Sequence, residues 1–179
     1  MPSSSFLHPA QARPGRTNSV LRLVLVDYTN PRQARDLVEL LDSYARDPAG
    51  GGEGLAEAVK RQLPSALAQR PDAFSVIAYM DDKPAGLINC FEGFSTFACK
   101  PLVNIHDVVV RPEFRGLKIS HRMLEKVEEL AKNRGACKLT LEVVEGNTPA
   151  RKSYEKYGFA PYELDPSMGK ALFWEKKIT

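Results

Sequence analysis

Arg115 and Lys118 flank Gly116 and Leu117 in the turn "RGLKIS" (115–120), set between a β-branched run and an amphipathic stretch. A turn that delivers a strand into a helix aims the first unpaired N–H groups of that helix at one spot. An anion placed there is stabilised by those groups and by the helix dipole. The spacing is neither Gly-x4-Gly-Lys-Ser/Thr nor the three-glycine dinucleotide fingerprint, and taken alone it fits an anion site and a plain loop equally well. Upstream, "IHDVVV" (105–110) carries His106, whose ordinary pKa near ~6.5 suits proton abstraction at neutral pH, and next to it Asp107. Regular strand alternation sends these two side chains to opposite faces, so only one of them is expected to meet a reacting group. Further on, Ala150 and Tyr154 are four apart and share a helix face, and a phenol with pKa near ~10 keeps its proton at neutral pH.

These groups have to be positioned by the elements around them. "LRLVLVDY" (21–28) alternates as a first strand, and Asn30-Pro31 reads as the N-cap and first residue of a helix carrying Leu37, Leu40, Leu41 and Tyr44. "DPAGGGEG" (47–54) is a loop. Leu55, Val59 and Leu63 mark a second helix, kinked or ended by Pro64. "FSVIAYM" (74–80), a "DDKP" turn and "AGLINCFEGF" (85–94) form a hairpin. "LVNIHDVVV" (102–110), a helix with Ile119, Met123, Val127, Leu130 and Ala131 on one face, and "CKLTLEVV" (137–144) make a parallel crossover unit. A short helix over about 147–157 and a last strand "ALFWEKK" (171–177) follow. The expected fold is a mixed α/β sheet of six or seven strands flanked by about four helices, in one domain over 21–179 behind a flexible extension over 1–20.

"VVVRPEFRGLKIS" (108–120) followed by "LTLEVVEGNTPARKSYEKYGF" (139–159) resembles the GNAT superfamily of N-acetyltransferases, and the resemblance spans roughly 21–177. The superfamily's pyrophosphate loop, Arg/Gln-x-x-Gly-x-Gly/Ala, aligns with Arg115 through Ser120. Lys118 stands where the middle glycine is usual, and Ser120 replaces the last small residue. The second motif, Asn-x-x-Ala-x-x-x-Tyr-x-x-x-Gly-Phe, is met by Asn147, Ala150, Tyr154, Gly158 and Phe159. The resemblance implies a GNAT-like acyl-CoA N-acyltransferase fold and direct transfer of an acetyl group from acetyl-CoA to the primary amine of a small molecule. It also implies a cofactor site made of Val108, Val109, Val110, Arg115, Gly116, Leu117, Lys118, Ile119, Ser120, His121, Asn147, Ala150 and Tyr154. Backbone groups of Val108 and Val110 would meet the pantetheine amides across a splay between neighbouring strands. Tyr154 would protonate the departing thiolate. His106 aligns with the carboxylate base of relatives and is the base candidate, with Glu92 and Glu142 in reserve, while Asp107 is expected to make a structural hydrogen bond. The alternatives are a non-catalytic CoA-binding or regulatory module, and a protein or peptide N-acetyltransferase.

The acceptor side is expected to draw on 49–54, on "CFEGFSTF" (90–97) with Phe91, Phe94 and Phe97, and on "LDPSMG" (164–169). Asp47, Glu53, Glu92 and Asp165 could attract a polyamine or another small amine, or form a solvated rim. A net charge of +3 over 179 residues permits an anionic ligand without demanding nucleic acid. The odd cysteines Cys90, Cys99 and Cys137 argue for reduced thiols and against a disulfide frame or a metal site. "MPSSSFLHPAQARPGRTNSV" (1–20) lacks the apolar centre of a secretory signal, and no apolar run approaches a membrane span. A cytoplasmic enzyme is expected, with acetyl-CoA and an amine as its partners, no metal, and a possible homodimer.

Overall fold

The computed structural model describes residues 19–163, 165, 167 and 169–178. Five strands form one sheet in chain order: β1 (Leu21–Leu25), β2 (Ala73–Met80), β3 (Lys83–Ser95), β4 (Lys100–Val110) and β5 (Leu139–Leu141). Neighbours are antiparallel except β4 and β5, which run parallel on either side of a crossover helix. The expected β2–β3 hairpin turns at Asp81 and Asp82, both at positive φ, as a tight two-residue turn demands.

Helices α1 (Pro31–Ala45) and α2 (Glu57–Ala68) cover one face of the sheet, and α3 (Ile119–Asn133) and α4 (Thr148–Tyr157) cover the other. Asn30 caps α1 by accepting from the Arg32 and Gln33 amides at 3.0 and 3.2 Å. On that face Leu37, Leu40 and Leu67 meet Ile77, Tyr79 and Leu87; on the other, Ile119, Met123, Leu124 and Val127 meet Val76, Ile88, Val103 and Ile105. Every strand residue of β2 is buried, as expected for a central strand with helices on both sides.

Four expectations are corrected. Pro64 lies inside α2 and does not end it, because Leu63 and Leu67 on either side are held by packing against the core. The strand expected over 137–144 shortens to three residues, since β4 runs beside it only from Val103 to Ile105 and Val143 and Val144 are exposed. "ALFWEKK" is not a strand. Alternation makes a strand only where a partner completes the ladder, and the one backbone bond seen here joins the Ala171 N–H to the Tyr162 carbonyl at 3.1 Å. The sheet therefore has five strands among the described residues. Of the cysteines only Cys90 is buried; Cys99 and Cys137 are exposed, and none is paired. The extension expected over 1–20 lies, up to Asn18, outside the described residues, as do Leu164, Pro166 and Met168 of the "LDPSMG" segment.

The fourth correction bears on chemistry. Asn89 pairs with Asp107, but Cys90 pairs with Ile105, leaving His106 as an extra residue on β4. This β-bulge breaks the alternation, and His106 and Asp107 both line the same cavity.

Candidate active site

Past Ile105 the β4–β5 ladder stops while β4 continues to Val110, so one edge of residues 106–110 has no strand beside it. A cleft of about 330 Å³ opens there. Val108, Val109 and Val110 form its floor, Arg115 and Ser120 its α3 side, and Asn147, Ala150 and Tyr154 its α4 side. The two separated motifs thus meet in one cavity. The Asn147 side chain accepts from the Ala150 amide at 3.2 Å, and Gly158 closes α4 at φ 113°.

The remaining residues of the turn lie off the cleft wall. Gly116 takes a positive φ, Leu117 is exposed, and Ile119 is packed into the core. His121 faces Glu125 at 3.5 Å and stands edge-on to the Tyr157 ring. Lys118 occupies the N-cap of α3 at φ 59°, ψ 21°, with no side-chain cap bond. A left-handed conformation at a non-glycine residue explains on physical grounds why glycine is the usual choice there. Because no side chain caps it, the start of α3 keeps its N–H groups open toward an anion.

Ser43, Tyr44 and Arg111 line the cleft without any sequence signal for it, and Asp47, expected on the acceptor side, lines it too. Arg115 is held by Asp47 at 3.0 Å and donates from Nε to the Val110 carbonyl at 3.2 Å. The Nε of Arg111 is buried with no hydrogen-bond partner, although a terminal nitrogen lies 3.6 Å from Glu39. Tyr44 keeps helical spacing with the leucines of α1, which masks its second role. Only the docking of α1 against β4 brings it to the cleft.

A second cavity, about 360 Å³, shares Tyr44 as a wall with the first. It is lined by Leu41, Gly50, Leu55, Leu63, Leu67 and Phe91, together with Asn89, His106 and Asp107. His106 is exposed and edge-on to Phe91, and Asp107 accepts from Asn89 Nδ2 at 2.9 Å. The other acids considered for the acceptor side lie elsewhere: Asp47 is on Arg115, Glu92 pairs with Arg134 at 3.2 Å, and Asp165 accepts from Ser167. Glu142, a reserve base, accepts from Asn104 outside both cavities. Phe94 and Phe97 are exposed and line neither cavity.

Tyr154 is partly buried and packs edge-on against Phe159. Burial, reinforced by nearby Tyr44, pushes its phenol up to about 12, so it keeps its proton throughout the neutral range. The Tyr44 phenol is raised as well, by burial and then by Asp107 and Asp47. Among the described residues no group of three or more His, Cys, Asp or Glu is placed to share a metal ion, and no helix is long and apolar enough to cross a membrane.

A profile of the acetyltransferase (GNAT) family matches residues 27–159. The chain belongs to this family. It is 26% identical over 156 residues to a thialysine N-epsilon-acetyltransferase of Bos taurus, covering 86% of this chain and 84% of that one. It spans about half the length of some other curated relatives, among them a thialysine N-epsilon-acetyltransferase of Caenorhabditis elegans. In fold it is similar to an aminoglycoside acetyltransferase from an uncultured soil metagenomic sample, solved with sisomicin (TM-score 0.72, 11% identity, 89% of this chain and 97% of that one). It is also similar to an aminoglycoside N-acetyltransferase solved with CoA (TM-score 0.69, 16% identity, 92% and 100%).

Proposed function

We propose that this acetyltransferase moves an acetyl group from acetyl-CoA to the primary amine of a small molecule by direct attack in a ternary complex. The observation that carries the reading is a pair of cavities on either side of Tyr44, one lined by Arg111, Arg115, Ser120 at the start of α3 and Tyr154, the other by His106 and Asp107. The first cavity fits a nucleotide thioester. Arg115 and the α3 amides suit a diphosphate, the free β4 edge suits an amide-bearing arm, and the orphaned Arg111 Nε lacks an acceptor that a ligand would supply.

When bound, acetyl-CoA supplies an activated acetyl thioester. Arg115, Ser120 and Asn147 hold one end of the ligand, and Val108 and Val110 align its arm along β4. Tyr154 keeps a proton on Oη for the departing sulfur, and His106 takes the proton that the attacking amine must lose. The acetyltransferases named above include enzymes of thialysine and of aminoglycosides, which are amines; that supports an amine acceptor here. The reading includes a cytoplasmic enzyme that forms a homodimer; the exposed Leu172, Phe173 and Trp174 support the self-association, which sedimentation tests. Calorimetry with acetyl-CoA, followed by thiol release across a library of amines, tests the whole. Failure to bind acetyl-CoA at high protein concentration removes it.

A further inference from the structure

A chain of polar side chains runs through the interior of the sheet to Asp107. Ser75 and Asn89 are 1% and 4% exposed, in the two central strands. Ser75 Oγ donates to Asn89 Oδ1 at 2.7 Å, which uses its single proton. In the 2.8 Å contact between Tyr28 Oη and Ser75 Oγ, the donor is therefore Tyr28, whose phenol is pushed up by burial and keeps its proton. With its carbonyl end occupied, the Asn89 amide turns Nδ2 to Asp107 Oδ2 at 2.9 Å. Three successive donors thus point the same way and end on one carboxylate, whose other oxygen, Oδ1, is not part of the chain.

The bulge at His106 turns that carboxylate into the second cavity, where it is the one acid among the described lining residues, most of which are apolar. We propose that Asp107 is the docking group for the ammonium of the acceptor, and that the cavity takes a small monocationic amine with a hydrocarbon body. This inference rests on the acetyltransferase reading above and names its substrate class. A second ammonium on the same acceptor would face Leu41, Leu55, Leu63 and Leu67 with no second carboxylate among the described lining residues, which disfavours polyamines. Tyr28, Ser75 and Asn89 are positioning residues, and His106 beside the docked nitrogen is left to take its proton.

The test uses benzylamine, cationic at neutral pH, and p-toluidine, an uncharged amine of similar size, with thiol release as the rate and calorimetry for acetyl-CoA binding. In Asp107→Asn the KM for benzylamine is expected to rise about tenfold or more, while that for p-toluidine changes by less than about threefold. Ser75→Ala should raise the benzylamine KM by a smaller factor with kcat held, and Ser75→Thr, which keeps the hydroxyl, should restore it. A purely structural role would instead lower kcat for both amines. Equal KM changes for the two amines overturn the inference, as does a wild-type preference for spermidine over benzylamine. Absence of benzylamine binding and turnover while acetyl-CoA binds overturns it too, leaving the acetyltransferase reading intact. If acetyl-CoA does not bind the wild-type protein, that reading falls and the inference with it.

Discussion

In the proposed reaction Tyr154 acts by staying protonated. Burial and the neighbouring Tyr44 raise its phenol to about 12, so it is a donor throughout the neutral range. Tyr154→Phe removes the donor and leaves the ring that packs on Phe159. Turnover is expected to fall by about 10²-fold, within the range for a lost general acid, with acetyl-CoA affinity nearly unchanged. Thiol release and calorimetry on the same preparation check both halves. For His106 the expected outcome is different in kind: His106→Gln should lower kcat for benzylamine and leave its KM nearly unchanged, because the ammonium rests on Asp107. Steady-state rates with that amine decide it. Both proposed roles start from the sequence, Tyr154 through its motif and His106 through its strand. The docking proposed for Asp107 does not, because it depends on a bulge created by how β3 and β4 pair.

At the scale of elements, α3 begins with a strained residue. Lys118 sits at φ 59°, a conformation that costs a non-glycine residue about 1–2 kcal/mol. Lys118→Gly is expected to stabilise the protein by about 1 kcal/mol, which raises the thermal midpoint by roughly 2–4 °C for a chain of this size. Differential scanning calorimetry reads this directly, and an unchanged or lower midpoint would show that the lysine bears no strain. The helices and most strands were legible because local rules set them: Asn30-Pro31 opens α1, Gly158 closes α4, and Asp81-Asp82 turns the hairpin. The last strand and the ends of β5 were not legible. Their alternation is equally good in every context, and only the presence of a neighbouring edge converts it into pairing.

At the scale of the whole molecule, two carboxylates tie helices together. Asp42 of α1 receives the Leu55 amide at 2.8 Å and Lys60 of α2 at 3.2 Å. Burial raises its carboxyl, but the Leu55 amide, Arg46 and Lys60 outweigh that and hold it below the ordinary 3.8. Glu128 of α3 accepts from Tyr157 of α4 at 2.6 Å, and Lys132 and Tyr157 hold it below 4.5. Depressed carboxyls contribute stability that is complete above those ordinary values and is lost as the pH falls through their lower folded values. The urea midpoint is therefore expected to be higher at about pH 5 than at about pH 3, and Asp42→Asn with Glu128→Gln should reduce that difference. An undiminished difference in the double variant would assign the acid sensitivity to other groups.

The family, the order of the elements and the two motifs that carry Arg115, Asn147 and Tyr154 were written in the sequence, because short motifs and periodicity are local and survive without coordinates. Tertiary structure alone decided that Tyr44 of α1 lines two cavities, that β4 and β5 part after Ile105, and that His106 and Asp107 line the same one. Each of these depends on how one segment packs against another distant in the chain, and side-chain direction in a strand follows pairing register, which no single segment encodes.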